Sequence, residues 1–247
     1  MRKLVTVLIV FACAIGSFAQ TAKAPESVTE VNVSAVKPGM TMQWEQGRKR
    51  HSDFHRAQKD TWSVIVYEVL TGDATGDYVS VQGGHSWKDF DSRDAFNKLD
   101  VADVAKNLVP YETPGPRSYY VYRAELSRSK EAPEPTKYAT VAHYWLIPER
   151  VNDFTDAIKA INAAIDTAHY PTKPSRWYQL ANGGDVPHYV LVTDRAGMAD
   201  FEPPAQSMQE ALGPEGAAAL DKLRKSCKRI YSETLQYRPD LSYLPSK

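Results

Sequence analysis

Two histidines in the first third of the chain have a spacing that metal sites use. His51 and His55 stand at i and i+4 among helix-forming residues, so a helix would place both imidazoles on one face. A third ligand is required, and the nearest carboxylate, that of Asp53, would point to another side of the helix. Four basic residues surround the pair and would repel a cation: Arg48, Lys49, Arg50 and Arg56. The sequence therefore predicts a solvated basic face and no metal site.

A third histidine lies in a stretch that is typical of a strand. His143 stands within Val141-Ala-His-Tyr-Trp145, where the two-residue period of a strand places His143 and Trp145 on one face and Tyr144 on the other. A buried imidazole needs a partner, so His143 is either a hydrogen-bonded core residue or a base in a ligand pocket. Aromatic side chains of other predicted strands are candidates for the same pocket or for ordinary core packing: Tyr67, Trp177, Tyr178, His188 and Tyr189.

A fourth histidine follows two glycines. In Gly83-Gly-His-Ser-Trp87 the glycines allow close approach of the backbone, and His85 and Trp87 have side chains suited to the wall of a pocket. The alternative is an ordinary surface turn. A nucleophile elbow is excluded because Lys88 occupies the place of its second glycine.

The sequence lacks the stronger signatures of catalysis. It contains no HExxH, Walker phosphate loop, GxGxxG or paired CxxC. The 30 basic and 30 acidic side chains balance, so no net charge attracts nucleic acid, and no nucleic-acid partner is expected. Cys227 follows Leu220 and Leu223 at helical spacing and is expected to be a buried, unreactive thiol.

The elements that must position these side chains come in two copies. Residues 67–91 align without a gap against residues 178–202, with identities that include Tyr67/Tyr178 and Tyr78/Tyr189. Tandem repetition determines the architecture before any chemistry is considered. Each copy reads as strand, helix, strand, strand, helix, strand, which is the ferredoxin-like unit. The predicted fold class is α+β, with two tandem βαββαβ repeats packed sheet to sheet about a pseudo-two-fold axis.

The chain divides into five segments. The first 19 residues have a charged start, a short apolar run and a small-residue end, the order of a secretory signal peptide. The run is too short to span a bilayer, so we expect no stable membrane insertion and an exported protein, periplasmic or extracellular. Residues 20–30 are assigned to a polar tether, 31–126 to the first repeat, 127–137 to a linker and 138–247 to the second repeat, with the last helix over residues 214–228. Either a monomer or a homodimer is compatible with this organisation.

The order of elements and three short motifs resemble those of the dimeric α+β barrel superfamily. The motifs are the strand exit Val36-Lys37-Pro38-Gly39, the strand segment Trp177-Tyr-Gln-Leu180, and Asp-Phe followed by Asp91 or Glu202 before the second helix of each repeat. More narrowly, the chain resembles exported bacterial proteins built as two fused copies, a group without an assigned activity. The resemblance implies a pseudo-dimeric α+β barrel with a pocket, but no particular reaction.

Three functions are compatible with that resemblance. The first is an exported barrel that binds a small apolar or aromatic ligand without a cofactor. The second is an enzyme, either a cofactor-free monooxygenase or a haem-handling protein, with His143 or His85 as base or iron ligand and three tryptophans shaping the site: Trp87, Trp145 and Trp177. The third is an envelope protein without catalysis, which would pair a free sheet edge with a partner.

Overall fold

The fold is described by a computed structural model of residues 26–131 and 134–245. The predicted signal peptide and residues 20–25 of the predicted tether lie outside the described residues. Within the described ranges, every helix is too short or too polar to cross a bilayer.

The first repeat contains the predicted four strands and two main helices. Its elements are β1 (Val28–Val36), α1 (Thr41–Ala57), β2 (Ile65–Val69), β3 (Tyr78–His85), the short α2 (Trp87–Asp91), α3 (Asp94–Asn107) and β4 (Glu112–Tyr122). Lys37-Pro38-Gly39 forms the turn between β1 and α1, and Gly39 takes the positive φ of +77° that favours glycine. Helix α3 ends before Pro110, which lacks the amide hydrogen that a longer helix would need.

The second repeat follows the same order. Its elements are β5 (Tyr138–Leu146), α4 (Val151–Ala168), β6 (Ser175–Asn182), β7 (His188–Arg195), the short α5 (Met208–Ala211), α6 (Gly213–Lys225) and β8 (Cys227–Tyr237). Helix α4 is amphipathic, and its buried face carries Phe154, Ile158, Ile161 and Ile165. Helices α4 and α6 pack on the outer face of this repeat's sheet, against buried residues that include Trp177 and Tyr189.

The eight strands form one closed antiparallel barrel. The strand order is β1-β3-β2-β8-β5-β7-β6-β4, and β4 returns to β1. Each repeat therefore contributes a ferredoxin-like sheet of order 4-1-3-2, which confirms the predicted fold class. The sheets join where Tyr67 pairs with Tyr237 and where Tyr122 pairs with Tyr178. Since every strand of the described chain has two neighbours, the free sheet edge that the envelope-protein hypothesis requires is not present there.

The glycines shared by the two repeats occupy equivalent tight turns. Gly72 and Gly183 have φ values of +96° and +93°, and each lies against the neighbouring repeat or strand. A Cβ on Gly72 would lie 1.9 Å from the hydroxyl oxygen of Tyr231, and one on Gly183 would lie 2.2 Å from the carbonyl oxygen of Arg117. Glycine is required at both turns, which explains its presence in both copies.

Three apolar clusters stabilise the fold. The first lies between helices α4 and α6 and the second sheet, and includes Phe154, Ile161, Trp177, Tyr189 and Leu223. The second lies under α1 and consists of Trp44, Val66, Tyr78, Leu108 and Leu241. The third lies inside the barrel and consists of Val69, Val79, Val141, Val190 and Leu235. Complete burial of one such large side chain contributes about 1.5–3 kcal/mol to the free energy of unfolding.

Two predicted boundaries differ from the structure. Strand β1 begins at Val28, so residues 28–30 belong to the first repeat and not to the tether. Helix α6 ends at Lys225 and Cys227 opens strand β8, because Cys227 pairs with Leu146 of β5. The Cys227 thiol donates to the carbonyl oxygen of Leu223, and burial raises its pKa to about 11. Such a thiol is almost entirely protonated at neutral pH and is a poor nucleophile.

Candidate functional site

The interior of the barrel is a cavity. It has a volume of about 820 Å³ and is lined by alternate residues of all eight strands. This alternation follows from strand geometry, since successive side chains point to opposite faces of the sheet. Inward-pointing side chains therefore line the cavity, and the residues between them pack under the helices.

The first repeat contributes a mostly apolar wall. Its inward-pointing residues on β1, β2 and β3 include Val31, Val33, Ile65, Val79 and Val81. These branched aliphatic side chains offer no hydrogen bonds, so they favour an apolar surface of a ligand.

The second repeat contributes two histidines and a carboxylate. The Nδ1 atom of His143 lies 3.2 Å from the Nε2 atom of His188, and the Nε2 atom of His143 lies 3.5 Å from the Oε1 atom of Glu233. An ionised Glu233 can only accept, so it favours the proton on Nε2 of His143, and Nδ1 of His143 then accepts from His188. The three side chains form a chain along which one proton can be relayed.

Aromatic contacts hold this chain in place. The indole of Trp145 stacks on the imidazole of His188 at 4.6 Å between ring centroids, and the two rings are within 6° of parallel. His143 stacks on both rings as well. The guanidinium of Arg229 covers Trp145 at 4.8 Å. Burial, and then the neighbouring His143, lower the pKa of His188 to about 4, so this imidazole is neutral at pH 7.

Tyrosines supply hydroxyl donors to the same cavity. Burial raises the pKa of Tyr67 and of Tyr120 to about 12 and raises that of Tyr178 further. All three phenols are therefore protonated at neutral pH and can donate to a ligand oxygen. Arg176 also lines the cavity, but Asp194 binds its guanidinium through two contacts of 2.6 Å. That pair is internally satisfied and leaves little positive charge for a ligand.

The structure separates the predicted pocket residues into two groups. His143, Trp145, Tyr67 and Tyr178 line the cavity. Trp177 does not, because it precedes Tyr178 in β6 and must face the opposite side, where its ring lies 5.5 Å from that of Phe154. The Tyr189 ring also faces the helices.

His85 and Trp87 lie outside the barrel cavity. The imidazole of His85 stacks on the indole of Trp62 at 3.4 Å between centroids, and burial lowers its pKa. Trp87 opens helix α2 and is 39% exposed. His85 ends strand β3 and is not part of a surface turn.

Sequence reasoning missed Glu233 and Tyr231, which line the cavity from β8. The signal was present, because the two-residue period of β8 places Tyr231, Glu233 and Leu235 on one face. The sequence does not show that this face meets His143. The contact depends on the pairing of β8 with β5, and these strands lie at opposite ends of the second repeat.

A second polar cluster lies outside the barrel, between helices α1 and α3. The side chains of His51 and His55 are only 3% exposed, so the predicted solvated face of α1 is instead buried. Asp100 of α3 lies beside both imidazoles. Among the described residues, these three side chains form the group with the geometry to hold a metal ion. Asp53, the carboxylate considered from sequence, instead pairs with Arg56 on the exposed side of α1.

Comparison with known proteins identifies the fold but not a close relative. No protein family profile and no curated protein matches the sequence. Solved structures do match over most of their length. A putative monooxygenase from Lactobacillus acidophilus NCFM superposes with a TM-score of 0.55 and 8% identity, over 90% of this chain and 97% of that one. An anthrone oxidase-like protein gives 0.54 and 13%, over 86% and 91%.

A third match is chlorite dismutase from Candidatus Nitrospira defluvii in complex with imidazole, with a TM-score of 0.55, 13% identity, and coverage of 88% of this chain and 93% of that one. The chain has the dimeric α+β barrel fold. In this α+β barrel both halves belong to one polypeptide, which explains why the repeats join edge to edge. At such low identity the likeness assigns no residue a role, so the function must be argued from the cavity itself.

Proposed function

We propose that the α+β barrel binds a small, mostly apolar aromatic molecule in its interior, with His143 and Glu233 as the polar anchor. The observation that supports this proposal is a cavity wall that is mostly aliphatic along β1 and β3 and carries the polar group His143, His188 and Glu233 on the second repeat. A volume of about 820 Å³ suits a small organic ligand, since such sites typically measure about 300–1,000 Å³. The proposed setting is outside the cytoplasm, as the predicted signal peptide implies.

The polar group selects the class of ligand. Glu233 can take up a proton or accept a hydrogen bond, and the phenols of Tyr67 and Tyr120 can donate one. A phenol or a hydroxyquinone has both an acidic hydroxyl and an apolar ring, and therefore matches both walls. Arg176 offers little charge to an aliphatic carboxylate, because it is already bound to Asp194.

A second candidate function uses the same atoms for catalysis. Glu233 lines the cavity beside His143 and is placed to act as a general base that removes the proton of a bound phenol or enol. The resulting anion is electron-rich and can transfer electrons to dioxygen, a reaction that needs no cofactor. Two of the structural neighbours are named as a putative monooxygenase and an anthrone oxidase-like protein, and those names favour testing this reaction.

Haem fits the side chains of the cavity less well. An axial imidazole needs a free nitrogen lone pair directed at open space, yet both nitrogens of His143 and Nε2 of His188 already face partners. Both rings also lie in a stack with Trp145. A haem titration followed at the Soret band is therefore expected to show no tight binding.

Calorimetry with a panel of naphthols, hydroxyquinones and unsubstituted aromatic hydrocarbons tests the proposal. The hydroxylated compounds should bind more tightly than the hydrocarbons to the wild-type protein. Glu233→Gln should weaken binding of the hydroxylated compounds by about 10-fold, the effect expected of one charge-assisted hydrogen bond. The exposed Glu202 gives a matched control, and Glu202→Gln should leave binding unchanged. Equal affinity of both compound classes, or no binding by either, would contradict the proposal.

A further inference from the structure

The buried cluster between α1 and α3 has a complete set of outer partners. The Nδ1 atom of His51 lies 2.7 Å from Oδ1 of Asp103, and Nδ1 of His55 lies 2.8 Å from Oδ2 of Asp60. Both carboxylates have further donors, from Asn107 to Asp103 and from Arg93 to Asp60. Metal-binding histidines commonly donate their second nitrogen to a carboxylate in this way, which fixes the tautomer and orients the ring.

These outer partners determine where the lone pairs point. A carboxylate accepts at each Nδ1, so each imidazole is oriented with its Nδ1 hydrogen toward Asp103 or Asp60 and its Nε2 toward the other ring. The two Nε2 atoms face each other at 3.2 Å. Oδ1 of Asp100 lies 3.5 Å from one and 3.3 Å from the other, and this buried oxygen has no hydrogen-bond donor in the described chain. Three lone pairs therefore converge on one point, and a cation there would relieve their repulsion.

The separations match the ligand spacing of a tetrahedral ion. Zn²⁺ with bonds of about 2.0–2.1 Å to nitrogen and oxygen separates neighbouring ligand atoms by about 3.3–3.4 Å. The observed separations of 3.2, 3.3 and 3.5 Å bracket that value. An octahedral ion with bonds of the same length would need about 2.9 Å. The cluster is thus arranged for four-coordination, with three protein ligands and one further position.

The local charge also favours a dication. Asp60, Asp100 and Asp103 contribute three carboxylates, against the guanidinium groups of Arg48 and Arg93.

We propose that His51, His55 and Asp100 bind a Zn²⁺ ion through Nε2, Nε2 and Oδ1. Water or a small anion takes the fourth position. Arg48 is placed to stabilise that ligand, because its guanidinium is buried, interacts electrostatically with Asp100 and has an Nη2 atom without an acceptor among the described residues. The site lies outside the barrel and does not depend on the function proposed for its interior.

Metal content and zinc titration test the proposal directly. The protein should be produced without a polyhistidine tag, stripped with a chelator and titrated with Zn²⁺ in competition with a chromophoric chelator. We expect one tight site per chain, little competition from Mg²⁺, and strong visible bands with Co²⁺, which report four-coordination. Zinc should raise the thermal midpoint of the stripped protein, since an ion that binds only the folded state stabilises it.

Three variants are expected to differ in their affinity for zinc. Asp103→Asn removes an outer partner and should weaken zinc binding by about 10–100-fold. Asp100→Asn removes a ligand and should weaken it further. Asp53→Asn removes an exposed carboxylate of the same helix and should leave the affinity unchanged. Circular dichroism checks the fold of each variant, and the wild-type titration stands even if Asp100→Asn fails to fold. No zinc uptake by the wild-type protein, an imidazolium in the cluster by NMR, or equal affinity in Asp100→Asn would overturn the proposal.

Discussion

The two main helices α1 and α4 occupy equivalent places in the two repeats, and their first turns pack alike. The fourth residue of each, Trp44 or Phe154, is fully buried against its sheet. Trp44 stacks on Tyr78 at 4.1 Å, and Phe154 contacts Tyr189 at 5.3 Å between centroids. Tyr78 and Tyr189 are themselves an identical pair of the duplication. Both repeats therefore share one packing framework.

Further along, the two helices carry opposite chemistry at equivalent buried positions. Arg48, His51 and His55 of α1 stand where α4 has isoleucines. Those isoleucines are Ile158, Ile161 and Ile165. The second repeat shows that this layer is stable with apolar side chains alone, whereas buried polar groups cost free energy unless they are paired. Packing therefore does not account for the histidines of the first repeat, and the metal proposal does.

The barrel walls show the reverse asymmetry. Val33 of β1 pairs with Val79, whereas His143 of β5 pairs with Val190, the residue equivalent to Val79. Glu233 likewise stands where the first repeat has Ser118. His51 and His55 thus stand in the helix layer of the first repeat and His143 in the barrel layer of the second, and each occupies a position that is aliphatic in the other copy. In a duplicated fold, one copy serves as an internal control for the other.

The shared framework should give the largest stability effect. Trp44→Ala and Phe154→Ala should each lower the free energy of unfolding by about 3–5 kcal/mol, as expected when a large buried aromatic is truncated. Trp44→Ala should be the more severe, because it also removes the hydrogen bond from the indole to the buried Glu112. Urea denaturation checks both values. A difference of several kcal/mol in the opposite direction would show that the two frameworks are not equivalent.

Moving one histidine of the first repeat to the equivalent position of the second should give the next largest loss of stability. Ile161→His places an imidazole at the position equivalent to His51, but in an apolar cluster that lacks its carboxylate partners. We expect a loss of about 3 kcal/mol in the free energy of unfolding, because the buried ring finds no acceptor. Ile161→Leu is the matched control and should cost about 1 kcal/mol. If the histidine were tolerated as well as leucine, the second repeat would not require apolar side chains in this layer, and the contrast between the two helices would carry no information.

The neutral His188 should make stability depend on pH. Its pKa is about 4 in the folded protein against about 6.5 in the unfolded chain, so only the unfolded chain binds the proton between those values. The stabilisation is complete above about pH 6.5 and is lost as the pH falls to about 4, by about 2–3 kcal/mol. The lowered pKa of His51 also makes the free energy of unfolding depend on pH. The difference between the wild-type protein and His188→Gln therefore isolates the contribution of His188. Parallel curves for the two proteins across that pH range would exclude a neutral, buried His188.

The exposed side of α1 should contribute least to the free energy of unfolding. Asp53 and Arg56 form an ion pair one turn apart, and both side chains are mostly exposed. Water and salt screen such a pair, so Asp53→Asn should change the free energy of unfolding by less than about 0.5 kcal/mol. Denaturation in low and high salt measures this directly. A larger change would mean that the outer face of α1 is coupled to the buried cluster.

The fold could be predicted from the sequence because the duplication and the strand periods are local signals. The same period also limits which predicted residues can line the cavity. Trp177 and Tyr178 are adjacent in one strand, so only one of them can face inward. Cys227 was misplaced because a short apolar pattern fits a helix end and a strand start equally well. These outcomes follow from patterns within single elements.

The clusters could not be predicted because they depend on contacts between elements. Asp100 belongs to α3 and meets His51 and His55 only when α3 packs against α1. Glu233 meets His143 only when β8 pairs with β5. Burial also reverses the meaning of the basic residues around His51, since Arg48 points inward while Arg56 faces solvent. None of these facts is encoded in local spacing.

The central claim is that buried polar residues present in only one repeat mark a functional site. Anomalous diffraction at the zinc absorption edge tests it most directly, with crystals grown with zinc and without a chelator. We predict a single strong peak about 2.0–2.2 Å from Nε2 of His51, Nε2 of His55 and Oδ1 of Asp100, and no peak between α4 and α6. The account is contradicted if the space among these three atoms holds no anomalous scatterer, or if zinc binds only at other residues of the surface.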